Sequence, residues 1–476
     1  MLLDANACYR ALATHDSRFD GRFFVGVRST GIYCRPVCTV RMPKRENCRF
    51  FASAPAAERD GFRPCLRCRP ELAPGYSPVD ATARVVQAAV ALIDDGFLEE
   101  RSIEALADRI GVTSRHLRRV FEGELGVSPI AYAQTQRLLL AKRLLTDTSL
   151  PVTEVAFASG FASVRRMNAL FASRYRLAPS TLRRQPAAAA DSLVFTLGYR
   201  PPYAWEAMLA FLEFRAIAGV EARHGRAFRR AIAIEQRGKL HSGWIDVAPA
   251  KAKPALVVRM SPSLSRVVPQ TLARVRHAFD VACDPLEVAR ALGPLAASTP
   301  GLRVPGGFDG FEIGVRAIVG QQISVRRMAD LAGRIAQRFG TPLAGAPAPL
   351  THTFPSASVI ADVPSEALAA LGMPRARAQT LVTLARAVVD GLDLSPHVDP
   401  QATMQSLTAL RGIGPWTAQY IALRGLGWPD AFLPGDLGVK RALGVAREAD
   451  VLARAERWRP WRAYAVIHLW TGNRER

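Results

Sequence analysis

The sequence lacks several features, and each absence narrows the class of protein. No apolar run of about 18 residues occurs in the 476-residue chain, so nothing in it has the pattern of a membrane span. The opening stretch MLLDANACYRALATHD carries Asp4 where a secretory signal would be basic, so we expect a cytosolic protein. Cysteine is scarce: six of the seven precede residue 69, which argues against a secreted disulfide framework.

Acidic residues are also in short supply. Lys and Arg total 63 against 41 Asp and Glu, which leaves a net charge of +22. A surplus of this size predicts a polyanionic partner. Nucleic acid is the partner that we favour, and an acidic membrane surface is the alternative. At about 150 residues per domain, the length predicts about three domains.

Changes in composition divide the chain. The first 70 residues are short segments broken by Gly, Pro and Arg, and PELAPGYSPVD (70–80) is typical of a linker. A helical period follows from 81 to about 185, and RRQPAAAAD (183–191) is typical of a second linker. From about 270 the chain is mostly helical again. The strand-like stretches between these parts lie near 193–198, 231–235 and 255–260.

An internal repeat occupies residues 102–180. EALADRIGVTSRHLRRVFEGELGVSP (104–129) aligns without gaps, fifty residues later, with EVAFASGFASVRRMNALFASRYRLAP (154–179). Each copy predicts a short helix, a tight turn and a longer helix that bears arginines, which is a helix-turn-helix pattern. A plain helical hairpin with a basic face is the alternative. Two copies in so basic a chain favour DNA binding.

This repeat resembles the AraC-type DNA-binding domain, in which a long helix joins two helix-turn-helix units. Here AYAQTQRLLLAKRLLTD (131–147) would be the connecting helix. The stretch TSRHLRR (113–119) would begin the first recognition helix, with Thr113 or Ser114 as its cap. The predicted DNA contacts of the two units are Arg115, Arg118 and Arg165.

Four cysteines have the C-x₃-C…C-x₂-C spacing of a zinc site built from four thiolates. They are Cys34, Cys38, Cys65 and Cys68. A disulfide interpretation is weak in a reducing compartment. A loop-rich segment of about 70 residues would also need a metal in order to fold. Cys8 and Cys48 fit no pair and are interpreted as ordinary small side chains.

The surroundings of these cysteines, FFVGVRSTGIYCRPVCTVRMPKRENCRFF and GFRPCLRCRPE, resemble the amino-terminal domain of the Ada family. In that family the first cysteine of the C-x₃-C pair is both a zinc ligand and a methyl acceptor. It takes a methyl group from a methylphosphotriester in alkylated DNA. The resemblance covers residues 1–75 and implies that Cys34 is the acceptor. Phosphate contacts are expected from the nearby arginines, Arg28, Arg35, Arg41 and Arg45.

The carboxy-terminal half contains LRGIGPWTAQYIALRGLG (410–427), with two predicted helices around the turn Gly412-Ile413-Gly414. This is a helix-hairpin-helix pattern. Its glycines allow close approach of the backbone, and the second helix presents its first amides to a phosphate. Asp436 lies 22 residues after Gly414. Alone, Asp436 would be interpreted as a helix cap and the nearby aromatic residues as core.

With the hairpin, residues 193 to the end resemble the AlkA family, 3-methyladenine DNA glycosylase II. The resemblance runs from FTLGYRPPYAW through GFEIGVRAIVGQQISV to HLW, and it implies that Asp436 is the catalytic aspartate. The implied aromatic base pocket consists of Trp416, Tyr420, Trp470 and Phe211. The implied DNA contacts are Gly412, Gly414, Thr417 and Gln322. The implied ligands of an alkali cation are the backbone carbonyls of Thr408, Leu410 and Gly412.

Three differences from the wider superfamily refine this resemblance. Gln322 stands where the best-known member has a leucine in the gap left by the flipped base, which leaves the range of lesions open. No cysteine follows Cys283, so an iron–sulfur cluster is not expected. Trp416 stands where bifunctional members have a lysine, so neither a Schiff base nor strand cleavage is expected.

Together these motifs predict a multidomain, mainly α-helical protein with α+β parts. The expected function is an alkylation-damage response: methyl transfer to Cys34, transcription regulation and monofunctional base excision. One alternative is a transcription regulator whose glycosylase half binds DNA without catalysis. Another alternative is a glycosylase that uses the front half only for targeting. The expected parts are an Ada-like zinc domain at 1–75, an AraC-type double helix-turn-helix at 80–185, a β-rich domain at 192–268, and a helix-hairpin-helix glycosylase domain at 269–476.

The resemblances also imply the partners. One Zn²⁺ is expected as the cofactor, and double-stranded DNA, both alkylated and promoter DNA, is expected as the main partner, with RNA polymerase as a second. We expect a monomer in the bacterial cytoplasm, associated with the nucleoid. No PCHR motif occurs, so the Ada-type domain for O6-methylguanine is absent and the glycosylase half takes its place.

Overall fold

A computed structural model describes residues 4–74, 81–148, 150–182, 192–396 and 398–472. The predicted linker at 183–191 lies outside the described residues, and so does the 75–80 part of the other linker. Domain limits placed in those stretches therefore stay predictions. Within the described ranges, none of the helices combines the length and the apolar character that crossing a bilayer requires.

Residues 4–74 form a small unit around a four-stranded sheet. Its elements are α1 Ala5–Ala13, β1 Phe24–Val27, β2 Ile32–Cys34, β3 Cys48–Phe51, α2 Ala54–Arg59 and β4 Arg63–Pro64. The strand order is β3-β1-β2-β4, with β2 and β4 parallel and the other pairs antiparallel. The sequence did not predict this sheet, because strands of two to four residues are too short to show alternation.

Two details of this unit bear on the sequence interpretation. Cys8 and Cys48 are buried in one apolar cluster with Phe23 and Val25, as expected for ordinary small side chains. The start of the first predicted linker is an ordered 3₁₀ turn, Pro70–Leu72. The buried Pro70 and Leu72 anchor this turn, which a Pro-rich composition did not predict.

Residues 81–182 are helical and confirm the predicted repeat. The elements are α3 Ala81–Asp94, α4 Phe97–Glu100, α5 Ile103–Ile110, α6 Ser114–Leu125, α7 Pro129–Asp147, α8 Val152–Ala158 and α9 Val164–Tyr175. The pairs α5–α6 and α8–α9 are the two helix-turn-helix units, and α7 joins them. Thr113 caps α6 by accepting a hydrogen bond from His116 N at 3.2 Å. Gly111 ends α5 in the left-handed conformation that glycine adopts without strain.

A five-stranded antiparallel sheet follows. Its elements are β5 Leu193–Gly198, α10 Trp205–Glu213, β6 Glu221–His224, β7 Ala227–Gln236, β8 Lys239–Pro249 and β9 Ala255–Met260. The strand order is β5-β9-β8-β7-β6. The three predicted strand-like stretches are confirmed as β5, β7 and β9. The other two strands were missed, because the polar residues of β6 and the KLHSG start of β8 hide their alternation.

The rest of the chain is helical and shares one apolar core with the sheet. The helices are α11 Val268–Ala278, α12 Pro285–Leu292, α13 Pro294–Ala297, α14 Gly310–Val319, α15 Val325–Phe339, α16 Ala357–Ala361, α17 Ser365–Ala369, α18 Arg375–Val389, α19 Pro400–Ala409, α20 Pro415–Arg424, α21 Leu437–Leu443, α22 Glu448–Ala455 and α23 Arg462–Gly472. Every residue of α14 from Phe311 to Val319 is buried, so this helix is the centre of the bundle.

A buried ionic network fastens α14 to the sheet. Its members are Glu221, Arg230, Glu312 and Arg316. Arg316 Nη2 donates to Glu221 at 2.6 Å and to Glu312 at 2.7 Å. Burial alone would raise the pKa of Glu312, but the two arginines outweigh it and lower that pKa to about 2. Because these side chains are buried and paired with one another, loss of any one member would leave an uncompensated buried charge.

The front and rear halves contact each other through charged residues. Arg22 of the first unit pairs with Asp284 and, at 2.9 Å, with Glu287 at the start of α12. On the helix-turn-helix side, Glu99 accepts a hydrogen bond from Gln236 at 3.1 Å. Further contacts are those of Glu154 with Arg266 and of Arg143 with the Thr196 carbonyl. The halves are therefore docked on each other through these polar contacts and through an apolar core that α7, α8 and α9 share with the rear half.

Candidate functional sites

The fold brings the four predicted cysteine ligands together. Their Sγ atoms all lie within 4.8 Å of one another. Cys34 ends β2, and the Cys65 amide donates to the Tyr33 carbonyl at 3.0 Å just beyond β4. The parallel pairing of these two strands therefore places the C-x₃-C pair beside the C-x₂-C pair.

This cluster fits a four-thiolate zinc ion. Zn–S bonds of about 2.3 Å in a tetrahedron put the sulfurs roughly 3.8 Å apart, which is compatible with four sulfurs that all lie within 4.8 Å of one another. The backbone amides of Arg35 and Arg67 point at the Cys68 and Cys65 sulfurs, both at 3.4 Å, and such donors stabilise thiolates. Cys34 is buried like Cys38 and Cys65, and Cys68 is the most exposed of the four, so exposure does not single out Cys34 as the acceptor.

The structure gives two of the predicted phosphate contacts other partners. Arg35 forms an ion pair with Asp20 and donates to the Cys68 carbonyl at 3.1 Å. It therefore links the backbone of the cysteine cluster to Asp20. The Arg45 guanidinium lies over the rings of Tyr9 and Phe50. Contact of either arginine with DNA stays a prediction. Of the four predicted phosphate contacts, Arg28 and Arg41 are exposed.

The predicted DNA-reading arginines lie on the outer faces of α6 and α9. Arg115, Arg118 and Arg165 are all exposed. Arg118 forms a solvent-exposed ion pair with Glu104 at 3.2 Å, which contributes little to stability and is readily exchanged for a phosphate. The position fits DNA contact, and the role of each arginine stays a prediction.

The hairpin between α19 and α20 has the backbone that its glycines predict. Gly412 has φ +91°, and a methyl group there would overlap the Thr380 hydroxyl. Gly414 is the N-cap of α20 and faces open space, so the backbone amides at the start of α20 are accessible to a phosphate. Predicted contact Thr417 is buried and accepts a hydrogen bond from the Gln321 amide at 3.1 Å.

Gln321 also donates to the Gly412 carbonyl at 3.0 Å and so braces the hairpin, a role that the sequence did not reveal.

Of the three carbonyls predicted to bind an alkali cation, two already accept a hydrogen bond, those of Gly412 and Leu410. The cation at Thr408, Leu410 and Gly412 stays a prediction. Gln322, next in the chain, is exposed with φ +57° in the loop before α15.

Asp436 is fixed by three neutral donors. Its Oδ1 accepts hydrogen bonds from Val439 N at 3.0 Å and from Trp470 Nε1 at 2.9 Å. Its Oδ2 accepts one from Trp416 Nε1 at 3.2 Å. Asp436 is thus the N-cap of α21 and also the meeting point of α20, α21 and α23. Among the described residues none forms an ion pair with this half-buried carboxylate, so its charge is not neutralised.

The four predicted pocket aromatics form one wall. Trp416 and Tyr420 stack with ring centroids 5.3 Å apart, and Tyr420 lies 6.3 Å from Trp470. Phe211, from α10, lies 6.4 Å from Trp470 at an angle of 21°. Because both tryptophans donate to Asp436, the wall and the carboxylate are parts of one site.

Two arginines that the sequence interpretation missed lie against this wall. The Arg424 guanidinium donates to the Tyr420 hydroxyl at 3.0 Å, and that of Arg215 lies 3.7 Å from the centroid of the Phe211 ring. Burial alone would raise the pKa of Tyr420, but these two cations outweigh it and lower that pKa. Arg215 and Arg424 each stand four residues after a pocket aromatic, Phe211 and Tyr420, and this spacing could have indicated them.

Four family descriptions match successive parts of the chain. They are the metal binding domain of Ada at 7–71, a helix-turn-helix domain at 106–185, the AlkA N-terminal domain at 194–309 and the HhH-GPD superfamily of base excision DNA repair proteins at 315–458. The fold and its sites therefore define a multidomain DNA-repair and regulatory class, in which an Ada-like metal domain and a helix-turn-helix domain precede a helix-hairpin-helix domain.

Curated relatives place the chain more narrowly. It is 37% identical, over 98% of its length and 96% of the other's, to the "Probable bifunctional transcriptional activator/DNA repair enzyme AlkA" of Mycobacterium tuberculosis. The chain belongs to this family of bifunctional transcriptional activator/DNA repair enzymes. It is also 40% identical to DNA-3-methyladenine glycosylase 2 of Escherichia coli, over 58% of this chain and 96% of that one.

A solved structure supports the fold of the rear half. The 3-methyladenine DNA-glycosylase from Archaeoglobus fulgidus superposes with a TM-score of 0.51 and 22% identity, over 59% of this chain and 98% of that one. The predicted mainly helical, multidomain fold with small sheets is confirmed.

Proposed function

We propose that this protein responds to DNA alkylation with two chemical centres and one regulatory domain. The rear half excises alkylated bases of the 3-methyladenine type, and the front half accepts a methyl group and regulates transcription. The observation that carries the excision proposal is the Asp436 carboxylate, held by the indole N–H groups of the two tryptophans that form the aromatic wall.

The site supports hydrolysis of an N-glycosidic bond. An alkylated base would be flipped from the duplex, at a cost of a few kcal/mol, and would lie against the aromatic wall. As the base leaves, positive charge develops on the sugar, and the unneutralised Asp436 carboxylate stabilises it or accepts a proton from the attacking water. Trp416 stands where a lyase needs a lysine, so the product is an intact strand with an abasic site.

The cysteine cluster supports methyl acceptance. We propose that Cys34, with Cys38, Cys65 and Cys68, holds Zn²⁺, which when bound keeps the thiols ionised at neutral pH. The Cys34 sulfur then forms a bond to the methyl carbon while the methyl C–O bond of the phosphotriester breaks. The electron pair leaves with the phosphate oxygen. The formal charge of the centre changes from −2 to −1, so DNA is repelled less afterwards.

We propose further that methylation increases promoter binding by the helix-turn-helix units, whose arginines are exposed. The docked front half would then act as a regulator, with promoter DNA and RNA polymerase as partners of a monomer at the nucleoid. A regulator that only binds DNA through its rear half is the competing function. The retained carboxylate and its two indole donors favour catalysis, since DNA binding alone does not require them.

Base release tests the excision proposal. The intact chain, incubated with methylated duplex DNA, should release N3-methyladenine and leave abasic strands that break only after alkali treatment. Borohydride should trap no covalent enzyme–DNA adduct, and a trapped adduct would contradict the monofunctional mechanism. Absence of any base release would favour the DNA-binding alternative.

Mass spectrometry tests the methyl acceptor. After incubation with DNA that carries methylphosphotriesters, the added methyl should be on the 31–41 segment, at Cys34. Cys65→Ser should lose zinc and fold poorly, because the cluster joins two strands of the small sheet. Cys48→Ser is a control, since Cys48 is a buried cysteine outside the cluster and its loss should leave zinc content unchanged. A methyl on Cys38 or Cys68 would overturn the assignment.

A further inference from the structure

Arg215 lies against the aromatic wall and has no part in the proposed mechanism. Its guanidinium carbon is 3.7 Å from the centroid of the Phe211 ring and 5.8 Å from that of Trp470. Arg215 follows the end of α10 and is half-buried. A planar cation thus stacks on the wall against which a flipped base would lie.

The core holds this arginine in place. Arg316, which is 4% exposed, donates from Nη1 to the Arg215 carbonyl at 2.8 Å. The same guanidinium belongs to the buried network with Glu221 and Glu312. The backbone at Arg215 is therefore fixed by the junction between the sheet and α14, and the Arg215 Nη1 donates to the Phe211 carbonyl at 3.5 Å beside the wall.

Arg424, the second cation at the wall, has a different role. It is 3% exposed and uses its donors on the Pro305 carbonyl at 2.9 Å, the Gly306 carbonyl at 3.4 Å and the Tyr420 hydroxyl at 3.0 Å. Those contacts hold a loop and a ring together. Arg215 is less buried than Arg424 and lies close to two rings of the wall.

We propose that Arg215 is a specificity-determining residue of the base pocket. The Arg215 guanidinium favours neutral bases with acceptor atoms over bases that carry a positive charge. This inference rests on the proposed base excision. A guanidinium beside the bound base repels a cationic base in a partly desolvated pocket. The same guanidinium offers N–H donors to the exocyclic oxygen of a neutral damaged base. It also covers a face of Phe211 that would otherwise attract a cation.

The test compares two lesions in the intact protein. Single-turnover excision is measured on duplexes with one N7-methylguanine, which is cationic, or one hypoxanthine, which is neutral and has an acceptor oxygen. Arg215→Met keeps an apolar stem on the ring and removes the charge. The rate ratio of N7-methylguanine to hypoxanthine should rise about tenfold in this variant. An unchanged ratio would overturn the proposal.

Arg215→Lys is the second variant, should Arg215→Met fold poorly. It keeps the charge but loses the planar fork, so excision of both bases, which carry the same exocyclic oxygen, should fall severalfold while their rate ratio stays near the wild-type value. Hypoxanthine excision equal to the wild type would count against the proposal. Arg457→Met is the matched control, since Arg457 also lies over a tryptophan, Trp458, outside the aromatic wall. It should change neither rate.

Failure of this inference is distinguishable from failure of the proposed function. If the wild type releases neither base, the excision proposal itself is wrong. If it releases both and the ratio does not depend on Arg215, only the role of Arg215 is wrong.

Discussion

At the scale of single residues, Asp436 combines two roles that sequence interpretation treats as alternatives. An aspartate after a Pro-Gly turn is typical of a helix cap, and the structure shows that cap on α21. The same carboxylate accepts hydrogen bonds from Trp416 and Trp470, which no local pattern predicts, because the three residues are 20 and 34 positions apart. Only the resemblance to a known family pointed to a site here.

Asp436→Asn separates the two roles. Asparagine is an equally good N-cap and retains the shape, so the midpoint of thermal unfolding should fall only slightly. The loss of the negative charge should lower the rate of base release by on the order of 10²–10⁴. Affinity for DNA should persist, as measured by fluorescence anisotropy. Full activity in the variant would show that the carboxylate is not catalytic.

At the scale of elements, the hairpin glycines differ in what they contribute. Gly412→Ala should destabilise the hairpin, because φ +91° disfavours alanine and the new methyl would overlap Thr380. Gly414→Ala has open space and an ordinary φ, so it should cost less stability and mainly weaken DNA binding at the start of α20. Thermal unfolding and DNA affinity, measured on both variants, check this contrast. Equal loss of stability in both would contradict it.

The first recognition helix gives a salt-dependent prediction. Because Arg118 is exposed and its ion pair with Glu104 is weak, Arg118→Ala should leave the fold intact. If Arg118 contacts only phosphate, the plot of log affinity against log salt should lose about one unit of slope, with all DNA sequences weakened alike. Arg119→Ala on the same helix is a control for general charge loss. A selective loss at one promoter position would instead assign Arg118 to base reading.

The elements were largely predictable, and the exceptions have physical reasons. Both helix-turn-helix units follow from a repeat of 26 residues with strong helical period, and the cysteine cluster follows from its spacing. The small sheet of the first unit does not, since its strands gain stability from the cysteine cluster and from α2, not from their own alternation. Gln321, which braces the hairpin across 91 residues, has no local signal either.

At the scale of the whole molecule, the docking of the two halves could not be predicted. Arg22 and Asp284 are 262 residues apart, and Arg266 and Glu154 are 112 apart. Isolated charges of this kind look like solvated surface in the sequence. Only the fold shows that they meet.

This docking gives the interface a pH dependence through Glu99. Burial, opposed by Arg137 and Arg237, raises the pKa of Glu99 to about 7. The folded state therefore keeps a proton that the unfolded chain has lost above about pH 4.5. The retained proton contributes its full stabilisation of the folded state below about pH 4.5. This contribution, at most about 3 kcal/mol of unfolding free energy, is lost as the pH rises through 7.

Glu99→Gln removes this titration. The variant should be increasingly more stable than the wild type between pH 5 and 8, because glutamine never ionises. The quantity to follow, by thermal unfolding, is the stability of the variant minus that of the wild type at each pH. Subtraction is needed because buried His277, whose pKa is lowered to about 4 mainly by burial, titrates in the opposite sense in both proteins. A constant difference across this range would contradict the assignment.

The two indole hydrogen bonds to Asp436 also make the site visible in solution. The chain has seven tryptophans, so a proton–nitrogen correlation spectrum of a labelled sample would contain few side-chain indole signals. Those of Trp416 and Trp470 report directly on the carboxylate that they hold. A damaged base, an abasic product or a change of charge at Asp436 would each move these two resonances, so occupancy of the site could be followed without an added dye or a modified DNA.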